Sequence, residues 1–462
     1  MLTEKMNRAI ASLVGALICY FVLIFLEKKN FTIIVDLLFS SSSEGYVNLH
    51  SLILIIGMMI IIQVSHEAGT FQFIAINLIK LSKGKPIRLM LIFCGITVLI
   101  SAILNNILTV IILIPLTITV SRILNINPQP YILTQAILVN IGGTVFSISS
   151  IPNILITTYA NISFLDFFLN VGLISFIVFG FTIIFFIFIY RKELTISEEG
   201  VKVFKEYNVW NFVQSKKLLF QSILSLVILL VLFIVLPPSF IPPDIIALTI
   251  AMVLVIISRL EPKELITKVD LELIFYLLGI FVIAGSLEIS GILNLIGDFI
   301  SFLAQGNFFS LLLLTLWLSG FLSSSIDNIP ITKVMIPIID NIPGIASFTQ
   351  KSQLFFSLAI GANWGDNLTP LGDNILVVNI AEQNKRPISF KSFFKLGFIT
   401  TIYQLLIVSM IYILIFTFIV GIVILVSILF ILFVLFILNQ KVNRINKKLS
   451  SIIQKIRYLI IK

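Results

Sequence analysis

Charge is what this chain has least of. Asp, Glu, Lys and Arg make up 11% of its 462 residues, against about 25% in soluble globular domains. The remainder is 58% hydrophobic, with a mean hydropathy of +1.13. Apolar runs near or above the roughly 20 residues that span a bilayer recur from end to end, so a soluble fold is excluded. Histidine is almost missing: His50 and His66 are the only two, neither joins a nucleophile motif, and no enzyme is expected. Cysteine is as scarce. Cys19 and Cys94 both sit inside apolar runs without CxxC or a ligand cluster, which leaves inert core thiols and predicts no metal and no cofactor. There is no ATP-binding motif. The first run, about 9–26, has no small-residue cleavage site and is a retained span.

The net charge of +9 is not a nucleic-acid footprint. Its basic residues fall in short loops and in the tail 441–462, as the positive-inside rule expects. Lys80, Lys83, Lys85 and Arg88 mark a cytoplasmic-type loop. The tail carries seven basic and no acidic residues and reads either as a helix on an anionic leaflet or as a solvated segment. Heavy use of Ile, Asn, Lys, Phe and Leu fits an AT-rich genome, and with it a bacterial inner membrane or an organelle membrane such as a plastid's.

The runs predict an all-α polytopic membrane protein with about 11–13 transmembrane helices. We divide it into an N-terminal span and linker (1–44), a first repeat (45–190), a polar loop (191–217), a second repeat (218–416), and an extra span with the basic tail (417–462). Pro237-Pro238 and Pro242-Pro243 make a stiff turn, after which Asp244 is placed to cap the next helix. His66, Glu67 and Glu288 end apolar runs and are expected at the interface.

The halves are related by duplication. "LIIGMMIIIQVSHEAG" and "YLLGIFVIAGSLEISG" place Gly57 and Gly279 222 residues apart. "SAILNNILTVIILIPL" and "SSSIDNIPITKVMIPI" keep that offset for Asn106 and Asn328, and for Pro115 and Pro337. It still holds at Gly143 and Gly365, and becomes 221 at Asn153 and Asn374. Matched Gly, Asn and Pro do not arise from Ile-rich composition. Interrupted segments in equivalent places of two halves point to the substrate site of a secondary transporter. Whether the halves are inverted depends on the number of crossings between them.

Each half carries two such segments: 101–106 and 140–153, then 323–328 and 361–374. Gly, Asn, Ser, Thr and Pro together are poor helix interior, and broken helix at membrane depth is tolerated where it is buried or lines a cavity. The candidate site residues are therefore Asn105, Asn106, Asn140, Gly142, Gly143, Thr144, Ser147, Asn153, Asp327, Asn328, Lys333, Asp366, Asn367, Thr369, Asp373 and Asn374. Asn105-Asn106 and Asp327-Asn328 sit where a hairpin turns and each precedes a helical run. Each can cap a helix whose free N–H groups and partial positive charge favour anions. The first unwound segment is rich in hydroxyls and leans toward substrate. The second, with Asp366 and Asp373, leans toward a coupling proton or Na⁺. Lys333 either adds charge to an anion site, replaces a bound cation, snorkels to an interface, or neutralises an aspartate structurally.

At these residues the chain resembles the arsenite permease and NhaD-type antiporter branch of the ion transporter superfamily, distantly similar to citrate and dicarboxylate carriers. "GMMIIIQVSHEAGTF", "SAILNNILTVIILIPLTI", "VNIGGTVFSISSIPNILI" and "SSSIDNIPITKVMIPII" carry the likeness, over roughly 45–415. It implies an inverted repeat with two re-entrant hairpins and two broken helices, an elevator-like shift of a transport part against a scaffold, and a homodimer. Asn105-Asn106 and Asp327-Asn328 match the hairpin tips. Asn105 stands where relatives have Asp, and Lys333 where they have a small or apolar residue. The expected activity is secondary active transport of a small inorganic anion or metalloid oxyanion such as arsenite, coupled to H⁺ or Na⁺. A Na⁺/H⁺ antiporter and a di- or tricarboxylate carrier are the near alternatives, and a channel or a transport-inactive membrane component the distant ones.

Overall fold

The computed structural model describes residues 7–40, 46–82, 85–191, 193, 209–345, 347–370 and 374–427. Lys83, most of the 191–217 loop, Asp373 and the basic tail lie outside them. Among the described residues every regular element is a helix. In chain order, α1 (Arg8–Phe25) and the short α2 (Ile33–Phe39) lead into α3 (Val47–Glu67), then α4 (Thr70–Lys80). Next come α5 (Pro86–Ser101), α6 (Asn106–Ile123), α7 (Gln129–Gly142) and α8 (Ile151–Tyr159). The long α9 (Phe164–Tyr190) has a π-helical turn at Phe168–Gly172. α10 (Lys216–Val235), α11 (Pro243–Ser258) and the short α12 (Pro262–Lys268) join the halves. The second half runs α13 (Leu271–Ile289), α14 (Ile292–Ala304), α15 (Phe308–Ser323), α16 (Asn328–Asp340) and α17 (Phe348–Gly365). It closes with α18 (Asn374–Gln383), α19 (Phe390–Phe416) and α20 (Phe418–Ser427).

Seven of these helices, α1, α3, α6, α9, α10, α13 and α19, are long and apolar enough to cross a membrane, and shorter apolar helices supplement them. The chain divides into two compact units at 405/406. In the smaller one, Tyr412 and Phe416 stack edge to face with ring centroids 6.3 Å apart. The rest of the description concerns the larger unit.

The duplication is legible helix by helix. α5 and α15 both end on a serine, and both serine hydroxyls donate 2.6 Å hydrogen bonds to the carbonyl of a broken helix: Ser101 to Val139 and Ser323 to Ala362. Each then turns within four residues into α6 or α16, forming a hairpin. α7 stops at Gly142 and the chain resumes helix at Ile151. α17 stops at Gly365, passes through a single 3₁₀ turn (Asp366–Leu368) and resumes at Asn374.

The halves are inverted, and two contacts at opposite ends of the molecule establish it. Lys268, just before α13, donates a 2.7 Å hydrogen bond to Glu67 at the end of α3. Asn48, at the start of α3, shares a cavity with Glu288 and Ile289 at the end of α13. The two equivalent helices thus run in opposite directions. α1 packs on α13, and α11 packs on α3. A Cβ on Gly279 of α13 would sit 2.5 Å from Ser12 Oγ of α1, and one on Gly57 of α3 would sit 2.9 Å from the Leu248 nitrogen of α11.

The double proline turn starts a helix as expected, with Pro243 in the first turn of α11. The capping expectation for Asp244 does not hold. Asp244 lies inside the first turn, is 2% exposed, and its Oδ2 is 2.8 Å from His50 Nδ1 on α3. A carboxylate at that position favours the helix macrodipole but lies two residues past the cap, Pro242. The thiols are free, with Cys94 buried and Cys19 half-buried.

Candidate functional site

Three helix N-termini converge on one small pocket of about 30 Å³. Its walls are Asn106 and Ile107 of α6, Ile151 and Pro152 of α8, and Asn328 and Ile329 of α16. Asn105, Ser149, Ser150, Leu273 and Arg8 complete it. Helix starts carry free N–H groups and about half a positive charge each. Proline in the first turn of α8 costs it no hydrogen bond. The pocket is therefore electropositive even before the Arg8 guanidinium is counted.

The two hairpin tips are built differently. Asn105 caps α6 in an ordinary extended conformation (φ −66°, ψ 161°), its Oδ1 accepting from Leu108 N–H at 2.8 Å. Asp327 stands before α16 at φ 114°, ψ 145°, in a region L-residues rarely adopt. Its Oδ1 accepts from the adjacent Asn328 N–H at 2.8 Å, the Tyr276 hydroxyl donates to Oδ2 at 3.2 Å, and Arg8 Nη1 lies 3.6 Å from Oδ2. Its side chain is 8% exposed.

Behind the pocket runs a chain of buried amides. Asn106 Nδ2 donates to Asn140 Oδ1 at 2.6 Å, and Asn140 Nδ2 to Asn367 Oδ1 at 2.7 Å. Asn367 Nδ2 ends on the Ile137 carbonyl at 3.0 Å. Asn374 Nδ2 reaches the Asp366 carbonyl at 3.0 Å and Asn367 Oδ1 at 3.3 Å. A second chain crosses it. Ser150 donates to Asn363 Oδ1, Asn363 Nδ2 to Asn153 Oδ1 at 2.9 Å, and Asn153 Nδ2 to the Gly143 carbonyl at 2.8 Å. Trp364 Nε1 donates to the Thr144 hydroxyl at 2.9 Å. Both chains link the two repeats, so the broken helices hold each other open through side-chain amides that replace the missing helical bonds. One acceptor, Asn106 Oδ1, is buried against Gly143 with no hydrogen-bond partner among the described residues.

The expected residues divide accordingly. Asn105, Asn106 and Asn328 line the tip pocket, and Asp327 adjoins it on Arg8. Asn140, Asn153, Asn367 and Asn374 form the amide chains, and Thr144 joins through Trp364. Gly143 lets Asn106 approach, since a Cβ there would sit 2.8 Å from Asn106 Oδ1. Gly142 serves packing against Ser101 and Val98. Asp366 is buried at the 3₁₀ turn, and Thr369 donates to the Ser324 carbonyl at 2.7 Å, tying the second break to the second hairpin. Ser147 lines a different cavity, of about 310 Å³, with His50 and Asp244. Asp373 lies outside the described residues.

Lys333 is not with them. Its Nζ donates to Asn48 Oδ1 at 2.7 Å and lies 5.2 Å from the Phe281 ring centroid. It lines a cavity of about 240 Å³ together with Asp36 and Glu288. Substituting it separates anchoring from binding. Lys333→Met is expected to lower stability by about 1–2 kcal/mol through the lost charged hydrogen bond while changing cargo KM by less than about twofold. Thermal melting in detergent, paired with uptake kinetics, checks both parts.

Three contributors escaped the sequence reading. Asn363 repeats Asn140 at an offset of 223 and was open to detection by extending the duplication. Tyr276 carries no such mark. Arg8 looks from sequence like an ordinary flanking charge.

With this geometry in view, the relatives are informative. A family profile described as citrate transporter matches residues 1–361. The 46 kDa membrane protein of Mycobacterium leprae is 30% identical over 405 residues, covering 87% of this chain and 92% of that protein. An uncharacterized transporter of Mycobacterium tuberculosis is 29% identical, covering 75% and 82% respectively. The human P protein is 24% identical over 86% of this chain and 56% of its own length. A profile that spans both hairpin tips and the first broken helix leaves one conclusion: the chain belongs to the citrate transporter family.

Proposed function

We propose that the protein is a secondary active carrier for a small carboxylate anion, of the di- or tricarboxylate class, loaded between the two hairpin tips. One observation carries the reading: three helix N-termini and an arginine line a single pocket. A fixed cluster of N–H donors with a guanidinium suits an oxyanion, and carboxylates in particular. The family description supports the same class, and the transporter relatives support carriage. A pocket of about 30 Å³ has room for about one water, so loading requires the tips to part.

The smaller cargo of the original expectation, an inorganic or metalloid oxyanion such as arsenite, remains the second reading. It is favoured by that same pocket size and by the hydroxyl and amide lining. The resemblance to the arsenite permease and NhaD-type branch belongs to this reading. In either case the coupling ion is H⁺ or Na⁺, with Asp366 as the coupling candidate. By the positive-inside rule, the end bearing Lys80, Lys85, Arg88, Lys268, Lys385 and Arg386 faces the cytoplasm, which puts Arg8 on the cytoplasmic side of the tips.

Uptake by proteoliposomes decides. Citrate, succinate, arsenite and sulfate are supplied separately, each with and without a pH or Na⁺ gradient. The expected result is saturable, gradient-dependent carboxylate uptake with counterflow. Saturable arsenite or sulfate uptake without carboxylate uptake would replace the first reading with the second. Non-saturating conductance would reject carriage altogether.

A further inference from the structure

We infer that Arg8 is the charge-selecting residue of the site and that Asp327 is its internal competitor, a carboxylate of the chain held where a cargo carboxylate would bind. The inference rests on the carboxylate reading above.

The first support is conformational. At the first tip the equivalent residue, Asn105, caps its helix at φ −66°. Asp327 forgoes that geometry. At φ 114° its carboxylate accepts from the adjacent Asn328 N–H and from the Ile329 N–H, and its Oδ2 is turned to Tyr276 and Arg8. A non-glycine backbone in this region costs about 1–3 kcal/mol and persists only where its surroundings impose it. Tyr276 on α13 and Arg8 on α1 are those surroundings.

The second support is the lining. Asn105 and Asn106 of the first tip and Asn328 of the second line the same pocket as Arg8, so an anion held by Arg8 would lie among the first N–H groups of α6 and α16.

The third is the position of Arg8. Its side chain is 42% exposed, against 8% for Asp327, so it can turn from Asp327 to an incoming anion without itself being extracted from the interior. A cargo carboxylate that takes Arg8 displaces Asp327. Tyr276 still ties the second tip to α13. Cargo binding and release of that tip from α1 become one event. A neutral or singly charged solute competes poorly with Asp327, so the pair also filters by charge.

The test measures uptake kinetics of mono-, di- and tricarboxylates by wild-type protein and by Arg8→Gln, Arg8→Lys and Asp327→Asn in proteoliposomes. Arg8→Gln should raise the tricarboxylate KM by about tenfold or more, the scale of a lost charged hydrogen bond, and flatten the dependence of KM on cargo charge. Arg8→Lys should keep the charge preference in weakened form. Asp327→Asn should lower the tricarboxylate KM by roughly two- to fivefold, the scale of one partly exposed ion pair. Tighter binding is an outcome that misfolding does not mimic. Unchanged charge preference in Arg8→Gln overturns the role of Arg8. An unchanged or raised KM in Asp327→Asn overturns the competition. Failure of the wild type to take up any carboxylate rejects the underlying carboxylate reading and this inference with it.

Discussion

Asn140→Ala is expected to abolish transport and to lower stability by about 2–4 kcal/mol. Asn140 is 1% exposed and holds both ends of the amide chain, accepting from Asn106 and donating to Asn367. Removing it leaves Asn106, whose Oδ1 already lacks a partner, with no amide partner on that chain. Asn367 Oδ1 keeps only the 3.3 Å bond from Asn374. Each buried polar group stranded in this way costs about 1–3 kcal/mol, and the side-chain cavity adds to it. The functional loss follows from geometry, because Asn106 is the first residue of α6 and lines the tip pocket. Asn140→Asp is a sharp companion: it keeps the acceptor for Asn106 but turns an oxygen onto Asn367 Oδ1 and buries a charge. Both variants should melt well below wild type in detergent and show no saturable uptake. Wild-type melting of Asn140→Ala would mean that the amide chain does not hold the broken helices.

Gly365→Ala is expected to be severely destabilising although it adds one methyl. A Cβ at Gly365 would fall inside the van der Waals envelope of the Gly320 carbonyl oxygen and 2.5 Å from its Cα. Both obstacles are backbone on α15, so no rotamer change relieves them. The hairpin must move off the broken helix, taking the Ser323–Ala362 hydrogen bond with it. Overpacking of this kind costs about 3 kcal/mol or more, far above the roughly 1 kcal/mol of helix propensity gained by replacing glycine with alanine. In the first half the glycine that meets the hairpin helix is Gly142, one residue off the 222 register, and Gly142→Ala brings a Cβ to 2.7 Å from Ser101 Cβ and 2.8 Å from the Val98 carbonyl. It should rank second. Yield of folded protein and melting temperature should order wild type above Gly142→Ala above Gly365→Ala. The reverse order would show that the two hairpins pack less equivalently than the shared serine bonds indicate.

These effects help to explain what was legible beforehand. The duplication was visible because glycine, asparagine and proline are informative in an Ile-rich background, and those residues sit at the breaks and close approaches. The tips at Asn105-Asn106 and Asp327-Asn328 were visible for the same reason. The direction of Lys333 was open to a closer reading. Five residues along a helix turn about 140°, so a lysine on α16 cannot share the face of Asn328, and it anchors to Asn48 instead. Asp244 lies two residues past the cap, Pro242, because a Pro-Pro-Asp string does not say which residue is the cap. Tyr276 and Arg8 had no local mark at all.

By itself the sequence determined the solvent this protein lives in, its helical content, its twofold repetition and the places where helices stop. All four follow from composition and from spacing along one dimension. Tertiary structure decided the inversion of the halves, the exchange of α1 and α11 between them, and which polar residues share a pocket. Those depend on contacts between residues hundreds of positions apart, such as Arg8 with Asp327 and Asn140 with Asn367. A helix start becomes an anion site when other helix starts are aimed at the same point, and no periodicity within a single helix encodes that aim.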